Sequence, residues 1–196
     1  MLHYLVMTQS EALAILKTGA NVFLTGEPGS GKTYTVNRYT EWLRERAVEP
    51  SITASTGIAA THIGGYTIHS WSGIGVRPKL TKYDLDHIAS NKRVYGRVNN
   101  ARVLIIDEVS MLSERTLGMV EAVCRAVRQN QNPFGGLQVI FVGDFFRLPP
   151  IEKHEYEESP RTHRTQKTFL EQSDSDRFRF RRNGASETNQ LFERRK

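Results

Sequence analysis

NVFLTGEPGSGKT, at residues 21–33, is the stretch of sequence that decides the fold. Its first part, NVFLT (21–25), is a short apolar run of the kind found in buried strands. Its second part matches the phosphate-loop pattern G-x-x-x-x-G-K-[ST], in which glycines let backbone N–H groups wrap the phosphates of a nucleotide. In such a loop Lys32 reaches the β and γ phosphate oxygens, and the Thr33 hydroxyl ligates Mg²⁺. The residues expected to contact the nucleotide are Gly26, Glu27, Pro28, Gly29, Ser30, Gly31, Lys32 and Thr33.

Three further apolar runs are predicted strands, at residues 51–55, 102–107 and 137–142. One helix is predicted to begin with a capping box between Thr8 and Glu11 and to stop at Gly19. Others are predicted from the phosphate loop to about residue 46 and from about residue 113 to residue 129. Continuously apolar strands that alternate with helices indicate an α/β fold, with a parallel sheet covered by helices on both faces. Such sheets bind ligands at the carboxyl ends of their strands.

Composition divides the 196 residues into two parts. Nearly all Val, Ile and Leu residues lie before residue 152, and residues 152–196 contain only Leu170 and Leu191 from that set. Because the second part cannot build a packed core, we expect a folded domain over 1–151 and a degenerate or disordered basic tail over 152–196. Within the tail, RFRFRR (177–182) suits either nucleic-acid binding through arginine and stacking phenylalanine, or a disordered basic segment.

Charge and cysteine content narrow the class of protein. The net charge of +6 suits a polyanionic partner, and the six basic residues from Lys79 to Arg102 are expected to form a solvated surface or to face DNA. A single cysteine excludes a disulfide framework, and the histidines are too scattered for a zinc site. Cys124 lies on the apolar face of its predicted helix and is expected to be a core thiol. No apolar run approaches the 18 or so residues of a membrane span, so a soluble intracellular protein, cytoplasmic if bacterial, without a membrane partner is expected.

Two carboxylates follow the apolar strand VLIID at residues 103–107. Asp107 is expected to hold the metal, usually through water, as in the Walker B arrangement. Glu108 is expected to orient or deprotonate the water that attacks the γ-phosphate, which suits an ATPase better than a kinase that must exclude water. The alternative is a solvated acidic turn, because apolar runs that end in Asp-Glu are common.

A third segment, GDFFRLPP (143–150), also follows a predicted strand. It would bring Asp144 and Arg147 to the edge of the sheet that holds the phosphates. The alternative is an ordinary proline-terminated loop in which Phe145 and Phe146 are core residues.

Residues 53–60 and 63–71 are rich in hydroxyl groups and glycines. Hydroxyls and exposed backbone N–H groups suit phosphodiester contacts, and Tyr66 or Trp71 could stack on bases. The alternative is a glycine-rich turn whose aromatic side chains face the core.

Taken in order, these segments resemble the first motor domain of the Pif family of DNA helicases, in helicase superfamily one. The resemblance covers about residues 5–151 in wording as well as spacing: Gln9 ahead of the loop, FLTGEPGSGKT, TASTGIAATHIGGYTIHSW, LIIDEVSM, RAVRQNQNPFGG and GDFFRLPP. It implies a RecA-like domain that takes part in ATP-driven, five-prime to three-prime translocation on single-stranded DNA.

The resemblance also implies roles for individual residues. Gln9 would contact adenine, Lys32 and Thr33 would contact the phosphates and Mg²⁺, and Asp107 with Glu108 would hold the metal and the attacking water. The implied catalytic set is Lys32, Asp107, Glu108 and Arg147. The residues implied to line the single-stranded DNA track are Thr56, Gly57, Gly65, His69 and Ser70.

The sequence departs from the family pattern in three ways. It lacks a counterpart of the second RecA-like domain, which supplies the arginine finger and the other wall of the ATP cleft. Arg147 stands where the family has glutamine, and the resemblance fades after Ile151, as truncation, deletion or a shifted reading frame would produce. Two alternatives to a working motor domain therefore stay open: an ATP-regulated single-stranded DNA-binding module, and an inactive helicase fragment. The oligomeric state is not indicated.

Overall fold

A five-stranded parallel sheet forms the centre of the computed structural model, which describes residues 7–144. The strands are β1 (Val22–Thr25), β2 (Ser51–Ala54), β3 (Tyr66–Thr67), β4 (Val103–Asp107) and β5 (Gln138–Gly143). Their order across the sheet is β1-β5-β4-β2-β3, and every neighbouring pair is parallel. All five carboxyl ends therefore lie along one edge of the sheet.

Seven α-helices connect the strands within the described part of the chain. They are α1 (Gln9–Leu16), α2 (Lys32–Arg44), α3 (Gly57–His62), α4 (Ile68–Ser72), α5 (Lys82–Ser90), α6 (Lys92–Asn100) and α7 (Glu114–Arg128), with short 3₁₀ turns at Val109–Met111 and Pro133–Gly136. Most begin at a hydroxyl or amide side chain that accepts a bond from a first-turn N–H, which satisfies one of the unpaired donors of a helix start. Over residues 7–144 none of these helices combines the length and the apolar character that a bilayer span requires.

The sheet has a hydrophobic core on each face. Along β4, Leu104 and Ile106 pack into one core, which α4, α5, α6 and α7 cover, while Val103 and Ile105 pack into the other, which α1 and α2 cover. This alternation follows from the two-residue side-chain period of a strand. It confirms the predicted α/β fold with helices on both faces of a parallel sheet.

The four predicted strands are present, and the structure adds β3 at the edge of the sheet. Two residues are too few to leave a periodic pattern in the sequence, and this explains why β3 was not predicted. The basic stretch from Lys79 to Arg102 forms α5 and α6, which bury Ile88, Val94 and Val98. Its basic side chains are exposed except that of Arg97, which is half-buried.

Cys124 lies on α7 and is buried in the core on that face of the sheet. Burial raises the pKa of its thiol to about 12, because the thiolate would lose its hydration. The prediction of a core thiol is therefore confirmed.

Arg128, the last residue of α7, donates hydrogen bonds to carbonyl oxygens in other parts of the chain. Its Nη1 donates to the carbonyl oxygens of Val98, Asn99 and Ala101 at 3.2, 3.0 and 2.8 Å, and its Nε donates to that of Gly135 at 2.7 Å. The carbonyls at 98 and 99 belong to the last turn of α6 and have no acceptor role left within that helix. Arg128 thus joins the end of α6 to the turn that precedes β5.

The predicted boundary at residue 151 and the tail over 152–196 lie outside the described residues. They stay predictions.

Candidate functional site

The carboxyl edge of the sheet brings the candidate site residues together. Thr25 of β1 pairs with Gly143 of β5, and Ala54 of β2 pairs with Asp107 of β4. Since β5 and β4 are also neighbours, the phosphate loop after β1 and the acidic residues after β5 and β4 follow adjacent strands. The topology therefore produces a single site from segments that are far apart in the sequence.

The phosphate loop depends on glycine at two positions of left-handed backbone, Gly29 (φ 81°) and Gly31 (φ 88°). Gly31 is also the residue at which α2 begins, so the amino end of that 13-residue helix faces the loop. A Cβ atom at position 31 would collide with the Gln9 side-chain amide. Within the loop Glu27, Pro28, Ser30 and Thr33 are exposed, whereas Gly26 and Lys32 are half-buried.

Lys32 points back into the curve of the loop. Its ammonium group donates to the carbonyl oxygen of Gly26, and to that of Glu27 at 3.0 Å. A cation that carbonyl oxygens bind at the amino end of a helix can exchange those oxygens for phosphate oxygens.

Gln9 is brought to the loop by α1. The capping box between Thr8 and Glu11 fixes the start of this helix, and the next residue, Gln9, donates from Nε2 to the carbonyl oxygen of Ser30 at 3.3 Å. The implied adenine contact is therefore attached to the phosphate-binding loop itself. The sequence does not predict this bond, because its acceptor is a backbone carbonyl oxygen, which every residue has.

Asp107 and Glu108 form a tight turn at the end of β4. The Asp107 carboxylate accepts the Glu108 backbone N–H at 2.8 Å. Glu108 has left-handed backbone (φ 52°, ψ 39°), which is unfavourable for a residue with a side chain. Both residues are half-buried rather than fully exposed, and this favours the Walker B interpretation over a solvated acidic turn.

The donor set fits Mg²⁺ better than a self-contained metal centre. Among residues 7–144 no three His, Cys, Asp or Glu side chains are grouped so that they could hold a metal ion. Mg²⁺ commonly takes only one or two protein oxygens and completes its shell with water and substrate phosphates. A hydroxyl from Thr33 and a carboxylate from Asp107 are ligands of that kind.

Gly143 ends β5 beside this turn, and Asp144 follows it. A Cβ atom at position 143 would lie 3.0 Å from Val109 Cγ1 and 3.3 Å from the Ser110 nitrogen, so the backbone approaches the Asp107–Glu108 turn closely. Asp144 is buried. The remaining residues of this segment, including Phe145, Phe146 and Arg147, lie outside the described part of the chain.

The implied DNA-binding residues occupy two places. Thr56 and Gly57 follow β2 at the start of α3, and His69 and Ser70 lie in α4 after β3. These four are at the carboxyl edge, and burial lowers the pKa of His69. Gly65 instead precedes β3, and a Cβ atom there would collide with the carbonyl oxygen of Ile52. The close pairing of β3 with β2 therefore explains glycine at position 65 without a contact to DNA.

The two aromatic residues of this stretch have different environments. Trp71 is fully buried and belongs to the core, as the alternative interpretation predicts. Tyr66 is 53% exposed and lies under the guanidinium group of Arg97, whose carbon is 5.2 Å from the ring centre. Only Tyr66 of the two is available for stacking on a base.

A backbone link that the sequence did not predict joins the two parts of the site. The Ser55 N–H donates to the carbonyl oxygen of Asp107 at 3.2 Å, which extends the pairing of β2 with β4 by one step. Ser55 immediately precedes Thr56, the cap of α3. Ser55 is therefore hydrogen-bonded to the acidic turn and covalently adjacent to the start of the implied DNA track.

Comparison with known proteins identifies relatives of the chain. A family model described as PIF1-like helicase matches residues 5–175. The ATP-dependent DNA helicase Pif1 of Psychrobacter sp. (strain PRwf-1) is 57% identical over 145 residues, which make up 74% of this chain and 22% of that relative. The chain thus spans about a fifth of the length of the curated relatives it matches.

Solved structures agree with the sequence relatives. The Pif1 helicase from Candida albicans superposes with a TM-score of 0.70 at 36% identity, covering 78% of this chain and 35% of that one. The Bacteroides Pif1 helicase in complex with ADP-AlF3 and single-stranded DNA superposes with a TM-score of 0.63 at 35% identity, again covering 78% of this chain and 35% of that one. Family model, relatives and structures all match the region that carries the phosphate loop and the acidic turn, and the chain belongs to the PIF1-like helicase family.

Proposed function

We propose that this chain is the N-terminal motor domain of an ATP-dependent DNA helicase that moves five-prime to three-prime on single-stranded DNA. The observation that carries the proposal is the carboxyl edge of the sheet, where the phosphate loop, the acidic turn and the segments after β2 and β3 all lie. An edge of this kind would allow nucleotide hydrolysis and DNA contacts to occur on the same sheet. The names of the relatives support the same function.

ATP would bind with its phosphates in the loop after β1. Lys32 would exchange the carbonyl oxygens of Gly26 and Glu27 for the β and γ phosphate oxygens. The Thr33 hydroxyl and the Asp107 carboxylate would hold Mg²⁺, which neutralises charge that develops on the phosphates. Gln9, already joined to the loop through Ser30, would contact the adenine ring.

Glu108 is the proposed general base. It would accept a proton from a water molecule as the water oxygen bonds to the γ-phosphorus and the bond to the β-phosphate oxygen breaks, leaving ADP and phosphate. Asp107, whose carboxylate accepts the Glu108 N–H, would keep the base beside the metal. Arg147, outside the described residues, is proposed to act near the γ-phosphate.

DNA would be held by Thr56, Gly57, Gly65, His69 and Ser70. The bond from the Ser55 N–H to the Asp107 carbonyl provides a short route by which a change at the nucleotide could move Thr56 and α3. This route supports coupling of hydrolysis to movement along the strand, which is the essential property of a motor domain.

The test is calorimetric titration of the chain with a non-hydrolysable ATP analogue and Mg²⁺. Lys32→Ala removes a charge-assisted contact of about 1.5–3 kcal/mol and should weaken binding by roughly ten- to a hundredfold. Lys82→Ala is the matched control, because Lys82 is an exposed lysine at the start of α5. Equal affinity of wild type and Lys32→Ala would contradict the proposal.

A further inference from the structure

A cleft of about 230 Å³ lies beside β3, at the edge of the sheet. Because β3 pairs only with Thr53 and Ala54, the first two residues of β2, Ser51 and Ile52, have no strand on this side among the described residues. Ser51 and Ile52 line one side of the cleft. Tyr66 and Arg97 are among the residues that line the rest of it. The cleft is therefore a product of the shortness of β3.

Arg97 reaches this cleft from α6 and is only partly satisfied. Its Nη2 donates to the carbonyl oxygen of Ser70 at 2.8 Å, whereas its Nε is buried and has no acceptor among the described residues. A guanidinium group carries five N–H donors, so Arg97 has donors besides the buried Nε and the Nη2 bonded to Ser70 that could bind an oxygen acceptor in the cleft.

Tyr66 supplies a flat apolar surface next to this donor. Its ring is half exposed and the Arg97 guanidinium lies over it. Aromatic rings and arginine planes are the surfaces on which single-stranded bases stack, whatever the base.

The charge of the lining favours an anion. Arg44 donates to the Glu49 carboxylate from Nε and Nη2 at 2.7–3.1 Å. This pairing lowers the pKa of Glu49, so the two charges cancel. Arg97 is then the one uncompensated charge among the residues that line the cleft.

The cleft lies at the amino-terminal ends of β2 and β3, where it shares Gly65 with the proposed DNA track, and the Arg97 bond to Ser70 joins its wall to α4. We propose that it is a subsite for one nucleotide of single-stranded DNA, in which the base stacks on Tyr66 and Arg97 donates to a phosphate or base oxygen. The proposal rests on the proposed function and adds a position that the track residues do not include.

The first experiment measures binding of fluorescent oligo-dT to the whole chain by anisotropy. Tyr66→Ala should weaken binding by roughly five- to a hundredfold, the range found for loss of one stacked base. Arg97→Lys, which keeps the charge but loses the plane and the Nε donor, should weaken it in the same direction. Tyr83→Ala and Arg115→Ala are matched controls, because both side chains are exposed on α5 and α7 away from the cleft lining, and both should bind like wild type.

The salt dependence of Arg97→Ala identifies the acceptor. Loss of a phosphate contact should reduce the slope of log affinity against log salt by about one, whereas loss of a base contact should leave the slope unchanged. ATP-analogue affinity and the melting temperature of each variant are measured alongside, so that a folding defect is recognised.

Photocrosslinking of an oligonucleotide that carries 5-iododeoxyuridine needs no variant and decides the case if Arg97 variants fold poorly. A crosslinked peptide containing Tyr66 is expected. If DNA binds but neither Tyr66→Ala nor Arg97→Lys weakens it, or the crosslinks avoid Tyr66, the subsite is wrong and the proposed function stands. If the wild-type chain does not bind single-stranded DNA at all, the DNA part of the proposed function fails together with the subsite.

Discussion

Glu108 combines a proposed catalytic role with an unfavourable backbone conformation. Left-handed backbone costs a residue with a side chain about 1–2 kcal/mol, and such residues persist where the surroundings hold them and tend to cluster at functional sites. The bond from its N–H to the Asp107 carboxylate and the close approach of Gly143 to the following turn are among the contacts that hold it here. Position 108 would be easier to fold with glycine, so the glutamate is best explained by what its carboxylate does.

Replacement of Glu108 should separate stability from turnover. Glu108→Gln is expected to lower ATP hydrolysis by about a hundredfold or more, the range for loss of a general base, with ATP binding largely retained. Glu108→Gly should lose hydrolysis equally, yet its free energy of unfolding should be no lower than that of wild type, with a gain of up to about 1 kcal/mol from released strain.

Gln129 provides the control for this experiment. It has almost the same backbone conformation (φ 50°, ψ 38°) at the end of α7 and is exposed. Gln129→Gly should therefore change stability in the same direction and leave hydrolysis unchanged. Urea denaturation and phosphate release measure the two properties, and a Glu108→Gln variant that hydrolyses ATP at the wild-type rate would remove Glu108 from the mechanism.

At this scale the sequence predicts side chains better than backbone contacts. Lys32, Thr33 and Asp107 could be assigned because phosphate-loop chemistry requires those residue types at fixed spacing after a strand. The contacts of Gln9 with Ser30 and of Ser55 with Asp107 involve main-chain groups, which every residue carries, so no residue type could announce them. Tyr66 and Trp71 are equally aromatic in sequence, and only the packing of α4 decides which one is buried.

Among the elements, α7 and the turn after it depend on one arginine. The four carbonyl oxygens that Arg128 binds come from the end of α6, from Ala101 ahead of β4, and from the turn before β5. The same turn needs glycine at position 135, which has φ 63° and where a Cβ atom would lie 2.6 Å from the Cys124 carbonyl oxygen. The segment RAVRQNQNPFGG thus has a structural role, because its residues make the contacts that connect α7 to β5.

Arg128→Ala should be strongly destabilising. It leaves several half-buried carbonyl oxygens without a donor, and we expect a loss of about 2–4 kcal/mol in the free energy of unfolding. Arg115→Ala is the control, because Arg115 is an exposed arginine on the same helix. Chemical denaturation measures both variants, and a loss at position 128 no larger than that at position 115 would show that the joint does not depend on these bonds.

Prediction of elements from the sequence succeeded where apolar runs were long enough. The strands β1, β2, β4 and β5 each have four or more residues, and α7 has a clear apolar face, so periodicity identified them. The helices α3 and α4 have six and five residues, too few to show a helical period, and α5 and α6 have nine residues each that are mostly polar. Their existence follows from tertiary packing, which one sequence does not reveal.

For the whole molecule, the phosphate loop and the acidic turn meet at the carboxyl edge of one sheet. The described residues therefore provide one wall for a nucleotide. Motion along DNA requires that wall to close against another and to open after hydrolysis.

The 196-residue chain alone should therefore bind ATP and single-stranded DNA without unwinding a duplex. Strand displacement from a forked, fluorescently labelled substrate is the measurement, and the full-length Psychrobacter relative, which is named a helicase, is the positive control. Strand displacement by the purified monomer at a comparable rate would show that one motor domain is sufficient.

Cys124 has a practical consequence for following such motion. It is the single cysteine of the chain, and a buried thiol with a pKa of about 12 remains protonated and inaccessible near neutral pH. A cysteine introduced at an exposed position, such as Ile58 on α3 or Val76 ahead of α5, would then be the one group that a maleimide dye modifies in the folded protein. The chain can be labelled at a chosen exposed point without removal of its own thiol, so distances from α3 or from the segment before α5 can be recorded on a molecule with a single substitution.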